Sequence, residues 1–330
     1  MLIRNFIFIL FLSAFTTTAL PAVEITDHPE LGLFIDEMIE KHNFDEELLV
    51  RIFEDAEIRN DILEIIARPG EAQPWYKYKT RFLTREHVTR GMKFWQQNQP
   101  AIISASAKYQ VPAEIIVAII GIETNYGRTP GRHRVIDALT TLVLKYPRRQ
   151  RFFRKELENF LLLTKEQRID PLAIRGSYTG AIGLPQFMPS SYRAYAVDHD
   201  NSGSADLARS RADAIGSVAN YFRVHGWVEN AAIMATPRMD GDLYPWLSDL
   251  GKKPVFDLAE LARYGVHVDE KNTGAKTKAA LISFSEEDRT EYRVVYHNFY
   301  VITRYNNSPK YARAVAELGA LLKNAFRRKS

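Results

Sequence analysis

The chain contains no cysteine. That excludes a disulfide, a lipidated cysteine, a thiol nucleophile and a zinc–thiolate centre. It has no Lys/Arg cluster interleaved with aromatics of the kind an RNA-binding face presents. The short run Arg148-Arg149-Gln150-Arg151 borders an apolar helical pattern and suits a solvated face. There is no internal repeat and no low-complexity stretch. After the N-terminal segment, no apolar run approaches the roughly 20 residues a membrane helix requires.

What remains is ordinary globular composition: 330 residues, 46% hydrophobic and 25% charged. That length buries a sizeable core in one large domain or a few subdomains. A net charge of +4 favours anionic partners, such as acidic glycans, membrane surfaces or nucleic acid, without choosing among them.

The N-terminus is more specific. Arg4 supplies a positive charge, Phe6 to Phe15 is apolar apart from Ser13, and Thr16 to Ala22 adds small residues and Pro21. This is the layout of a secretory signal peptide, expected over 1–22 with cleavage after Ala19 or Ala22. The mature chain is then expected to be exported and soluble.

The periodicity predicts an α+β protein, predominantly helical. Short helices are expected over 23–74, ending at the breaker Pro69-Gly70-Glu71-Ala72-Gln73-Pro74. Residues 75–238 read as a helical core. Within it, Pro112 opens a segment, Ala-Glu-Ile-Ile-Val-Ala-Ile-Ile-Gly-Ile-Glu-Thr, that is apolar nearly all round and must be a buried helix. Turn residues and β-branched runs over 239–298 read as a small β insertion. Residues 299–330 read as a strand followed by a helix that Ser308-Pro309 caps.

Glu123 is the leading catalytic candidate. It closes the buried helix, where low dielectric and the negative end of the helix dipole both disfavour a carboxylate, as a general acid requires. The position equally suits a glutamate that simply emerges into water at the helix end, the commoner circumstance. Ser177 to Tyr192 mixes glycines, hydroxyls, aromatics and the amide of Gln186, groups suited to sugar hydroxyls; a plain surface loop has similar composition. Asp198, Asp200 and Ser202 alternate oxygen side chains before Gly203, and Ser204 offers a carbonyl. This resembles the start of an EF-hand loop, although Arg209 stands where that loop expects a glutamate.

Four ordered segments carry a resemblance: Gly121 to Arg128, Ser177 to Tyr192, Asp213 to Phe222 and Phe299 to Asn306. Together they resemble the membrane-bound lytic murein transglycosylase B family, over roughly Trp75 to the C-terminus. The resemblance implies a lysozyme-like core with a helical subdomain around a long groove. It implies cleavage of the β-1,4 bond between N-acetylmuramic acid and N-acetylglucosamine in peptidoglycan, leaving 1,6-anhydromuramoyl ends, with Glu123 as the single acid and base. It further implies that Ser177 and Gln186 contact the glycan beside the acid, and that Tyr221 and Asn306 line the cleft. Tyr78, Tyr305 and Tyr311 would offer rings for sugar faces, and Arg148 and Arg149 would meet a carboxylate of the peptide stem or lactyl group. Asp213 would close the metal loop, holding a structural Ca2+ or a weaker site open to Na+; its other reading is a cap of the helix it begins.

These readings place a monomeric enzyme in the periplasm of a Gram-negative bacterium. Its expected partners are peptidoglycan strands and proteins of wall synthesis or division, not nucleic acid. A hydrolytic muramidase, a non-catalytic wall-binding scaffold and a calcium-dependent adhesin are the competing readings.

Overall fold

The computed structural model describes residues 25–67, 73–269, 274 and 276–328. The expected signal segment lies outside them.

Three helices come first, α1 (Pro29–His42), α2 (Glu46–Asp55) and α3 (Asn60–Ile66), then a single turn, α4 (Trp75–Tyr78). Next are α5 (Arg85–Gln97), α6 (Gln99–Tyr109) and α7 (Ala113–Thr124). Strand β1 (His133–Arg134) leads into α8 (Val135–Lys145) and α9 (Gln150–Gln167), and β2 (Arg175–Gly176) pairs antiparallel with β1. Helices α10 (Pro189–Tyr195) and α11 (Arg211–Val224) follow. The mixed part holds β3 (Met234–Ala235), β4 (Arg238–Met239), β5 (Phe256–Asp257), α12 (Leu258–Arg263), β6 (Val266–His267), β7 (Lys278–Ser285) and β8 (Thr290–Val295). Helices α13 (His297–Tyr305) and α14 (Pro309–Arg327) end the described chain.

Three apolar cores explain the arrangement. The first surrounds α7, whose residues Ile115 to Gly121 are all buried; α5, α6, α11, α13 and α14 supply the sheath. An all-round apolar helix has no stable place except inside such a sheath. The second core joins α1, α2 and α3 to α8 and α9: Phe34, Phe53 and Ile62 pack with Leu139, Phe153 and Phe160. The third lies under the sheet, among Leu247, Leu258, Leu261, Leu281 and Val294.

The sheet runs β3-β8-β7-β5, antiparallel throughout, with Ala280 opposite Val295 and Ser285 opposite Thr290. Along β7 the side chains alternate between two cores. Ala279 and Leu281 enter the third, while Ala280, Ile282 and Phe284 enter the first. The period of two thus welds the β part onto the helical core.

Two expectations are corrected. Residues 298–305 form helix α13, not a strand. Phe299, Val301, Ile302 and Thr303 favour strands as residue types, but Asn298, Val301 and Ile302 recur at helical spacing and are buried. Asn298 also fixes the helix start: its Oδ1 accepts from Val228 N at 2.9 Å and its Nδ2 donates to Val228 O at 2.8 Å. Secondly, the β part begins at β3, before the expected boundary at 239, which falls inside β4. Helix α11 begins at Arg211 with Ser210 as its cap, so Asp213 is free of that duty.

Candidate functional site

The site lies where the first two cores meet. The segment 182–187 stitches them: Ile182 and Phe187 enter the second core and Leu184 the first. Tyr305 packs against both.

Helix α7 ends at Thr124 because Asn125 turns left-handed at φ 50°, with its N–H bonded to Gly121 O at 2.9 Å and the N–H of Tyr126 to Ile120 O at 3.3 Å. This closure leaves Glu123 half-buried at the end of an otherwise enclosed helix. Helix α14 crosses α7 closely, and its first turn, capped by Ser308, delivers Tyr311 to the same place. The Tyr311 hydroxyl donates to Glu123 Oε1 at 2.6 Å. Burial, first, and then the charge of Glu123 hold the Tyr311 phenol well above its ordinary value, so it stays a donor. The Tyr305 phenol is raised in the same way, and its hydroxyl donates to Pro185 O at 2.5 Å.

The facing segment is built as a small hairpin through bridges of Ile182 with Gly176 and with Phe187. Ser177 Oγ accepts from Ala181 N at 3.0 Å and Thr179 N at 3.2 Å, so the hydroxyl shapes its own turn. Gly183 lies against Leu207, where a Cβ would meet the carbonyl oxygen at 2.2 Å; a side chain does not fit. Gln186 is left-handed (φ 51°), and its Nε2 donates to Pro130 O at 3.0 Å and Gly183 O at 2.9 Å. Both Ser177 and Gln186 remain partly exposed.

The aromatic residues form a stack behind this surface. Tyr305 and Tyr311 lie parallel within 11° at 6.3 Å, and Tyr221 meets Tyr305 edge-on at 4.8 Å. The Tyr221 hydroxyl donates to Arg304 O at 2.6 Å, and its ring stacks on His225 at 4.0 Å. Asn306, partly exposed, caps α13 beside them. The expectation of open stacking faces is corrected for Tyr78 and Tyr311, which are only 3% and 2% exposed. Their rings are spent on packing, because the first core closes over them, and Tyr311 offers the acid its hydroxyl instead. Arg148 and Arg149 are exposed in a turn before α9, with the Arg149 guanidinium 4.2 Å over the Phe152 ring. Thr124 is a further functional residue that no side-chain pattern marks: it bonds to Leu184 O, and it stands directly after Glu123 in the segment Gly121 to Arg128.

The acidic loop precedes α11. Carboxylate oxygens of Asp198, Asp200 and Asp213 come within 4.8 Å of one another. Gly203 makes the sharp turn at φ 104°. Asp213 is fully buried; Oδ1 accepts from His199 N at 2.7 Å and Oδ2 from Asp206 N at 2.9 Å. Ser202 Oγ lies 3.4 Å from Asp198 Oδ1 and 3.3 Å from Ser204 O. An all-oxygen donor set of this kind, with carboxylates, a hydroxyl and a carbonyl converging, fits a hard cation.

The chain matches the family described as Transglycosylase SLT domain over residues 27–320. It is 39% identical over 308 residues to Membrane-bound lytic murein transglycosylase B of Escherichia coli (strain K12), covering 90% of this chain and 83% of that protein. Among solved structures it is similar to the soluble lytic transglycosylase SltB1 from Pseudomonas aeruginosa, with TM-score 0.86, 42% identity, and 92% and 100% of the two chains covered. It is also similar to the Escherichia coli lytic transglycosylase Slt35 in complex with calcium, with TM-score 0.82, 40% identity, and 90% and 93% covered. The fold is therefore that of these enzymes, and the chain belongs to the Transglycosylase SLT domain family.

Proposed function

We propose that the chain is a peptidoglycan lytic transglycosylase in which Glu123 is both acid and base. The observation that carries this reading is the Tyr311–Glu123 hydrogen bond, which fixes a half-buried carboxyl at the end of a buried helix, opposite a segment of polar and glycine residues.

In the forward step, the Glu123 carboxyl gives its proton to the glycosidic oxygen as the bond from that oxygen to the muramic acid anomeric carbon breaks. The sugar's own acetamido group supports the electron-poor carbon. The carboxylate then takes the proton of the muramic acid 6-hydroxyl as that oxygen bonds to the anomeric carbon. One new N-acetylglucosamine 4-hydroxyl and one 1,6-anhydro ring result, and no water is consumed. An internal nucleophile has a high effective concentration, which favours it over water. Two-carboxylate glycosidases place a second acid across the bond; here the segment Ser177 to Tyr192 contains no acidic residue. Ser177, Gln186 and Asn306 are the partly exposed polar groups that would hold sugar hydroxyls or acetamido groups, with Tyr221 and Tyr305 supporting them.

Calcium suits the acidic loop. Asp198, Asp200, Ser202, Ser204 and Asp213 would hold it, and Asp213 also secures the loop from beneath through its bonds to backbone N–H groups. The ion would neutralise clustered carboxylates and fix the loop; it takes no part in bond cleavage. The enzyme works where its polymer lies, in the periplasm. No single described helix is long and apolar enough to cross a membrane.

Mass spectrometry of purified peptidoglycan digested by the chain, beside a Glu123→Gln variant, tests the reading. Anhydro-ended muropeptides that vanish in the variant support it. Reducing ends mean a muramidase, and no cleavage by folded protein means a binding scaffold.

A further inference from the structure

We infer that Thr124 is a positioning residue, whose buried hydroxyl sets the register between the end of the Glu123 helix and the segment that carries Gln186. This rests on the transglycosylase reading above.

Thr124 is completely buried. Its Oγ1 lies 3.1 Å from Leu184 O and 3.2 Å from Ile120 O, and accepts from Gly127 N at 3.0 Å. A hydroxyl has one proton for two carbonyls. Ile120 O already accepts from Tyr126 N at 3.3 Å. A threonine bonding back to its own helix is ordinary; the bond to Leu184, across 60 residues of chain, is not.

Two further bonds make Thr124 a junction. Its carbonyl accepts from Thr129 N at 2.9 Å, so side chain and backbone together fold the loop 125–130 onto the helix end. That loop then meets the facing segment again, because Gln186 Nε2 donates to Pro130 O at 3.0 Å. On the other side, Pro185 O accepts from Tyr305. Residues 184, 185 and 186 are thus each tied to a different element, and the tie at 184 comes from the neighbour of Glu123. Losing the Thr124 hydroxyl leaves the buried Leu184 carbonyl and the partly buried Gly127 amide without that partner, a cost such groups escape by moving. The displacement would fall on the spacing between acid and sugar-binding amide, and small misplacements of reacting groups cost rate more than affinity.

The test uses Thr124→Val, nearly isosteric but without the hydroxyl, and Thr124→Ser, which keeps it. Soluble glycan strands serve as substrate, and amide hydrogen exchange is followed on the same proteins. We expect Thr124→Val to remain folded, to lose kcat by about tenfold or more with KM within about threefold, and to exchange faster at Gly127 and across 184–187. Thr124→Ser should return both readouts to near the parent values. Unchanged kcat in Thr124→Val, or a loss that tracks the unfolded fraction and is not restored by serine, overturns the inference. If the parent chain cleaves no glycan, the transglycosylase reading fails instead. Exchange alone then decides the junction, and unchanged exchange at Gly127 and 184–187 rejects it.

Discussion

Tyr311 reaches Glu123 across 188 residues of chain and donates a 2.6 Å hydrogen bond to its Oε1. The close crossing of α14 on α7 permits this: at Gly319 a Cβ would come within 3.1 Å of Ile115 Cδ1 and 3.4 Å of Glu114 O. The packing of two helices therefore determines where the acid points.

Removing that donor is the first prediction. Tyr311→Phe keeps the ring, which is 2% exposed and stacked on Tyr305, and deletes only the hydroxyl. The fold should survive, with thermal stability shifted by an amount ordinary for one hydrogen bond, about 1 kcal/mol. Turnover should fall roughly ten- to a hundredfold as the carboxyl loses its orientation. Steady-state kinetics on soluble glycan strands would show it; a kcat equal to the parent's would mean that the bond does not serve the reaction.

The acidic loop gives the second prediction. A ligand that binds only the folded chain raises its melting temperature in proportion to the logarithm of concentration above Kd. Millimolar calcium should therefore raise the melting temperature of the parent chain, and a chelator should reverse the rise. Asp200→Asn, at an exposed ligand, should blunt the response with little change in the metal-free protein. Asp213→Asn should do more. The new amide nitrogen cannot accept the backbone N–H groups of His199 or Asp206, and stability should fall by about 1–3 kcal/mol even without metal. Differential scanning calorimetry with and without calcium separates the two. Equal responses in parent and Asp200→Asn would remove Asp200 from the ligand set.

Much of this was legible in the residues. The burial of α7 follows from a segment apolar on every side, and Glu123 from being its first acid beyond that stretch. The acidic loop follows from the spacing of Asp198, Asp200 and Gly203. What stayed hidden depends on distant chain. Residues 298–305 carry strand-forming types, and only the packing of Val301 and Ile302 under α14 makes them helical. The role of Tyr311 was half legible for the same reason: the resemblance offers its ring to a sugar face, and nothing local says that its hydroxyl will meet an acid. Thr124 was passed over because its partner, Leu184 O, is backbone, and backbone partners leave no mark in a side-chain pattern.

The last prediction concerns pH. His87, on α5, is 3% exposed, and its ring packs 5.0 Å from that of Tyr126, just beyond the Glu123 helix. Burial, first, and then the nearby Arg90 push its pKa down from 6.5 to about 4, against smaller upward contributions from the Gly121 backbone and Glu86. The folded value lies below the unfolded one, so between pH 6.5 and 4 the unfolded chain binds more protons. Stability is complete above 6.5 and is lost as pH falls through that window, on the order of 3 kcal/mol for this one residue. Burial also lowers His133, His199 and His225, which act with the same sign. Glu37, held at about 2 by Arg154 and Lys41, adds its loss only below 4.5, so the interval from 6.5 to 5 belongs to the histidines. The melting temperature should therefore drop steadily from pH 7 to 5. His87→Gln, which cannot take up a proton there, should make the slope shallower without abolishing it. An identical slope in parent and variant, measured by calorimetry at matched ionic strength, would show that His87 does not stay neutral in the folded chain.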